Sequence, residues 1–259
     1  MIKYYNSLSW RLGTRLKTRE PGVLGKDPTD TPYSTKSSWL TSAFMLLLLL
    51  VGITTEAQVA SYSFTATTGT YTELSGTATP LALVQADSYM SPAQTIPFTF
   101  TYDGVGYTQF KMSSNGVISF NMAGTSNLTS NDFSTANATS RPIIAPLWDD
   151  LDGRSTGSYA SYEVSGTAPN RVFTIEWRNW EWNWNSGTTP VISFQIKLYE
   201  TSNIIEFVYR SDAGAVVSGS ASIGIGSATG SGAGSYLNVT SIASPAVSST
   251  SSVTNISTK

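Results

Sequence analysis

Beyond residue 57 the chain alternates apolar and polar positions in short runs separated by Gly, Pro, Asn and Ser, the pattern of half-buried strands joined by tight turns. It predicts strands at 61–66, 96–102, 107–113, 117–121, 143–147, 158–164, 171–184, 191–200, 204–210, 221–225 and 236–239. No helical stripe interrupts them. The expected fold is therefore all-β, a two-sheet antiparallel β-sandwich of jelly-roll-like form over residues 58–240.

Several strands declare their buried face. Ile192, Phe194, Ile196 and Leu198 share one parity, with Ser193, Gln195 and Lys197 on the other. Ile205, Phe207 and Tyr209 alternate against Glu206 and Arg210 after a Thr201-Ser202-Asn203 turn, so these two strands should form a hairpin. Asn115-Gly116 between apolar runs predicts a second hairpin. In 221–225, Ala221, Ile223 and Ile225 alternate with Ser222 and Gly224, small residues that imply close approach by another backbone or an aromatic ring.

The tryptophan-rich strand breaks the rule. Phe173, Ile175 and Trp177 have one parity, and Trp180, Trp182 and Trp184 the other. Either a bulge at Arg178-Asn179 resets the register, or the second set meets a different environment. On the plainer reading the indoles cap the core or pack on a covering loop. On the sharper one they form an exposed aromatic platform for sugar rings, with Glu181, Asn183 and Asn185 offering hydrogen bonds.

Between Arg141 and Arg154 a dense apolar run (Ile143, Ile144, Leu147, Trp148) meets three carboxylates, Asp149, Asp150 and Asp152. The first set needs burial and the second needs water, a cation or backbone donors, so a core strand should reach the surface here. Pro142 and Pro146 bracket the apolar half, which predicts an edge strand or a sheet corner.

Residues 1–38 are polar and basic without a hydrophobic period, and are expected to be disordered. Residues 39–53 form an apolar run too short for a comfortable bilayer span, followed by the small residues Thr55 and Ala57. The reading is a secretory signal peptide with a long n-region, cleaved after Ala57, leaving no membrane span in the mature chain; an uncleaved anchor is the alternative. Residues 241–259 are rich in Ser, Thr and Ala, and read as a linker or truncated tail.

Composition narrows the chemistry. The chain has no Cys and no His, which excludes disulfides, thiol catalysis, Ser-His systems and the usual zinc or haem ligands. Seven of the 15 Lys and Arg precede residue 37, and four of the 17 Asp and Glu precede residue 58. The part after Ala57 therefore carries 8 − 13 = −5, which is no footprint for nucleic acid.

Three candidate chemistries remain. Asp149, Asp150 and Asp152 could offer hard oxygens to calcium, the one cofactor the sequence raises, or could cap turn amides and pair with Arg141, Arg154 or Arg178. Trp180, Trp182 and Trp184 with Asn183 are the candidate ligand-binding set. A glycoside hydrolase would need two carboxylates facing one sugar bond, drawn from Asp150 or Asp152 with Glu176 or Glu181. The glycines at 224 and 226 lack the strand-to-helix setting of a phosphate loop.

Two ordered blocks carry a family likeness. The first runs from Ile96-Pro97-Phe98-Thr99-Phe100 through Ser114-Asn115-Gly116 to Phe120. The second is Ala145-Pro146-Leu147-Trp148-Asp149-Asp150-Leu151-Asp152, followed by Arg171-Val172-Phe173-Thr174-Ile175-Glu176-Trp177. Their order resembles nidogen-like domains and, more closely, β-sandwich modules near the N-terminus of secreted and surface proteins of Bacteroidota, many exported by the type IX system. Leu147 stands where the nidogen pattern has Phe, a packing-neutral change; no type IX sorting domain follows residue 239 in this sequence, so either the chain is truncated or the export route is different. The resemblance implies an extracellular module of adhesion or matrix-type proteins with no established catalytic role. The expected location is secreted or outer cell surface, and the expected partner an extracellular glycan or a surface protein.

Overall fold

The computed structural model describes residues 58–124, 128–135, 139–184, 189–228, 230 and 232–259, together with the backbone of 8–13. The described strands are β1 (Leu8–Gly13), β2 (Ser63–Thr68), β3 (Thr79–Pro80), β4 (Gln94–Tyr102), β5 (Val105–Ser113), β6 (Val117–Ser119) and β7 (Ile143–Trp148). They continue with β8 (Tyr159–Ser165), β9 (Val172–Trp180), β10 (Ile192–Tyr199), β11 (Ile205–Ser211), β12 (Ser222–Gly226), β13 (Tyr236–Ser241) and β14 (Ala246–Ser248). They form two antiparallel sheets, ordered β2-β1-β11-β10-β9-β8-β3 and β14-β13-β12-β7-β6-β5-β4. Chain-consecutive strands β8 to β11, β4 to β7 and β12 to β14 are neighbours and pair antiparallel, joined by short turns at β4–β5, β5–β6 and β10–β11 and by a long connection at β6–β7. The expected sandwich is the fold observed.

The main core lies between the sheets, where Phe100, Phe110, Ile118, Ile144 and Leu147 of one meet Phe173, Trp177, Phe194, Ile196 and Phe207 of the other. A smaller core covers the far side of the second sheet. There Leu128 and Phe133, from the connection between β6 and β7, pack on Val117, Ile143, Ala145, Trp148 and Tyr236. Arg141 is buried beside it, its guanidinium donating to the carbonyls of Ser227, Ser235 and Phe133.

With apolar residues wanted on both faces, β7 runs through the middle of its sheet, between β6 and β12. The edge or corner position inferred from its prolines is thus corrected. Pro146 lacks a ladder donor, but β6 pairs only with Ile143 and Ile144, and the register with β12 slips between Ala145 and Trp148. The proline occupies that bulge, where no amide is demanded. The slip also inverts side-chain parity, so Ile144 and Leu147 face the main core and Ala145 and Trp148 the smaller one.

A second bulge resolves the tryptophan parity. Phe194 pairs with Trp177 and Ile192 with Trp180, so two β10 steps span three β9 steps and Ser193 faces both Arg178 and Asn179. Asn179 takes the left-handed conformation (φ 59°), which Asn tolerates better than most residues, and its amide donates to Ser193 Oγ at 2.9 Å. The bulge turns Trp180 and Trp182 back into the core.

The close approach expected at Gly224 is to backbone, since a Cβ there would lie 2.4 Å from the Leu237 carbonyl oxygen. Two boundaries shift. Residues 8–13, expected to be disordered, form a strand inside the first sheet; the apolar run and cleavage site lie outside the described residues. The sandwich also continues past residue 240, for β14 pairs with β13 and buried Ile256 bridges Ala221. Apolar residues spaced widely through a Ser/Thr-rich stretch are enough to dock it when the remainder of the sheet is already in place.

Candidate functional site

One end of the sandwich gathers most of the sequence-predicted chemistry. β7 delivers Asp149, Asp150 and Asp152, the turn between β5 and β6 delivers Asn115, the end of β9 delivers Trp180 to Trp184, and the loop before β12 delivers Ser220. The Asn115-Gly116 hairpin forms as predicted, with Gly116 in the left-handed region (φ 72°). Asn115 adds a role the turn motif did not signal, its Oδ1 accepting the Leu151 amide at 3.0 Å.

Asp149 is buried and fully engaged. Its Oδ1 accepts from the Asp150 amide (3.0 Å) and Ser220 Oγ (2.8 Å), and its Oδ2 from Trp182 Nε1 (2.9 Å) and the Ser220 amide (2.7 Å). Asp152 is held by Arg154, whose Nη2 and Nε reach Oδ2 at 2.7 and 2.9 Å. Two of the three candidate calcium ligands are thus already saturated, and among the described residues no group of three or more Asp, Glu, His or Cys is arranged to hold a metal.

Asp150 differs. Its Oδ1 and that of Asp87, on the adjoining loop, are buried and accept no hydrogen bond. Burial, then the charges of Asp87, Asp149 and Asp152, push the Asp150 carboxyl above its usual range. Gly153 ties the two loops together by donating to the Ala86 carbonyl at 3.0 Å. Sequence reasoning missed Asp87 because only the fold brings it to this corner.

The aromatic set divides. Trp180 and Trp182 are buried and their indoles donate to the Ser114 carbonyl and to Asp149. A platform of all three indoles is therefore not formed, because the bulge at Asn179 has turned two of them inward. Trp184 alone is on the surface, 51% exposed, with its carbonyl 3.4 Å from Arg154 Nη2. Asn183 lies beside it with a positive φ of 151°, and Asn185 falls outside the described residues.

The hydrolase pairs are not presented to solvent. Asp152 and Glu181 are cross-strand neighbours, but both are buried and Asp152 is bound to Arg154. Glu176 belongs elsewhere, on the outer face of the first sheet under the connection between β2 and β3. Its Oε1 accepts from Tyr71 Oη (2.7 Å), the Leu74 amide (3.2 Å) and Gln195 Nε2 (2.7 Å). The same strap is pinned by Glu73, which pairs with Arg178 and Arg210, and by Ser75 and Thr77, which donate to Glu163. Alternation marked Gln195 as facing away from the core, but nothing in it signalled that a strap would cover that face.

A family model described as "NIDO related" matches residues 61–259, the sandwich from just before β2 through the last described residue. The chain belongs to the NIDO-related family. Its match includes the aspartate corner, the tryptophan strand and the segment after residue 240 that the fold places in the sandwich. No curated protein and no solved structure matches the chain. No helix among the described residues is long and apolar enough to cross a membrane.

Proposed function

We propose that this NIDO-related chain is a non-enzymatic extracellular or cell-surface module for adhesion or matrix-type binding, carried by a larger exported protein. The observation that carries the reading is the family match over residues 61–259, from just before β2 through β14, joined to a corner where Asp149, Asp152, Trp180 and Trp182 all serve the packing. Nidogen-like domains belong to extracellular proteins, and the −5 balance after Ala57 suits a glycan or protein partner better than nucleic acid. The exported chain, arrayed against extracellular-matrix proteins and glycans, should retain a partner while turning over no polysaccharide. Polysaccharide hydrolysis lost in Asp150→Asn would defeat the reading.

A second reading, glycan binding, draws on Trp184, whose side chain is exposed and whose backbone carbonyl accepts from Arg154 at the acidic corner. It expects a glycan signal abolished by Trp184→Ala in a chain that keeps its melting midpoint.

A further inference from the structure

In the first sheet β1 lies between β2 and β11, antiparallel to both, with Leu8 to Gly13 facing Thr68 to Ser63 on one side. On the other side Trp10, Arg11 and Leu12 face Phe207, Glu206 and Ile205. The apolar run at 39–53 and the small residues Thr55 and Ala57 stand between β1 and β2 in the sequence. A signal-peptide n-region does not accompany the domain it exports. Cleavage after Ala57 would therefore take a strand from inside the sheet.

We propose that the position between β2 and β11 is a strand-acceptor site, filled in the mature chain by an extended segment of a different polypeptide. This rests on the secreted reading and its cleavage after Ala57. Strands in a sheet are about 4.8 Å apart, so loss of β1 leaves its two neighbours roughly 9.6 Å apart, the width of one missing strand. The gap is bordered by core residues: Ile205 and Phe207 are buried, and Phe64 and Ala66 of β2 pack on the main core. Left open, it would wet apolar surface and strip ladder partners from both flanks.

β2 is restrained from closing the gap. Val59 and Tyr62, just before it, are buried; Tyr62 Oη accepts the Asp103 amide at 3.1 Å, and its ring lies edge-on to Tyr102 with centroids 6.0 Å apart. Sliding β2 by one strand spacing would pull on an anchor a single residue from its first position. The register of β1 states what fits: about six extended residues antiparallel to both flanks, apolar opposite Phe207 and Ile205, and basic opposite Glu206.

The test uses chain secreted by its own leader, with its mass measured first. A mass that still includes residues 8–13 overturns the cleavage premise, separately from the acceptor itself. On chain beginning at Gln58, amide exchange at 205–207 should be fast and should slow by about tenfold or more on adding a synthetic peptide of residues 8–13. The same peptide with Arg11→Pro, which lacks one ladder donor, should protect poorly. Amides at 205–207 already protected without peptide would mean β2 has closed on β11, and would overturn the proposal. So would exchange unchanged by the peptide, and protection that rises with protein concentration would seat a second copy there instead of a different chain.

Discussion

Trp182 Nε1 donates to Asp149 Oδ2 at 2.9 Å, so the residues that looked in sequence like an aromatic platform and a metal cluster are bonded to each other inside the domain. A buried carboxylate needs donors and a buried indole needs an acceptor, and each meets the other's requirement. Trp182→Phe should cost about 1.5–3 kcal/mol through loss of a hydrogen bond to a charged group. In a double-mutant cycle with Asp149→Asn, followed by urea unfolding, the two changes should be clearly non-additive. Additive losses would show that the bond does not couple them.

Trp180, at the end of β9, and Trp184, just beyond it, should separate by about an order of magnitude in their effect on stability. Trp180→Ala removes a buried ring whose indole is bonded to Ser114, and should cost about 3–5 kcal/mol. Trp184→Ala removes an exposed ring, and should stay within about 0.5 kcal/mol of the parent. Comparable melting-point losses for the two would contradict the bulge at Asn179 as the device that sorts them.

Strand positions were legible because period-two alternation reports burial directly, as in Ile192 to Leu198, and the doubled parity around Arg178-Asn179 raised, as one of two explanations, the bulge that is found there. The position of β7 was not, because a proline excludes a ladder bond only where the partner strand reaches it, and the ends of β6 and the slip against β12 are properties of the assembled sheet. The aspartates were legible as a cluster, and one of their two readings, capping turn amides and pairing with an arginine such as Arg154, is what Asp149 and Asp152 do. Ser220, which saturates Asp149, and Asp87, which crowds Asp150, come from loops whose approach no local pattern encodes. Glu176 read only as a candidate carboxylate for a hydrolase pair, and the path of residues 69–78 across the sheet is what buries it.

That strap gives a prediction about local opening. Tyr71→Phe removes one of three donors to Glu176 Oε1 and leaves the Arg210 guanidinium still stacked 4.9 Å over the ring. Net stability should fall by about 1 kcal/mol, and hydrogen exchange of the Leu74 amide should accelerate while that of the β9–β10 ladder does not. Uniform acceleration across both would mean that the strap opens only with the whole domain.

Glycines distinguish space from conformation. A Cβ on Gly116 would lie 1.8 Å from the Leu147 carbonyl oxygen, in a residue already at φ 72°, so Gly116→Ala should cost more than about 4 kcal/mol or prevent folding. Gly76, in the strap, has nothing within 4 Å of that position, and Gly76→Ala should be neutral or stabilising by up to about 1 kcal/mol. Chemical denaturation of the two variants beside the parent checks the pair.

Acid should act with opposite signs at the two polar sites. Hydrogen bonding from Arg210 holds the Glu73 carboxyl below its usual 4.5, and the Ser75 hydroxyl does the same for Glu163. A carboxyl with a depressed folded pKa adds stability above its unfolded pKa, and loses it as pH falls through the folded value. Glu73→Gln should therefore melt below the parent at pH 7, with the difference closing below pH 4.5. Asp150 is the reverse case: burial and the neighbouring carboxylates raise its pKa above 3.8, so the folded state holds its proton more tightly and the ionised form destabilises the corner. That penalty is complete at neutral pH and is relieved as pH falls through the raised value. Asp150→Asn should consequently melt above the parent at pH 7, and its advantage should shrink on acidification while the pH is still above 3.8. Melting curves of the two variants and the parent from pH 7 to pH 3 read both differences, and an Asp150→Asn advantage that grows as pH falls would reverse the assigned sign.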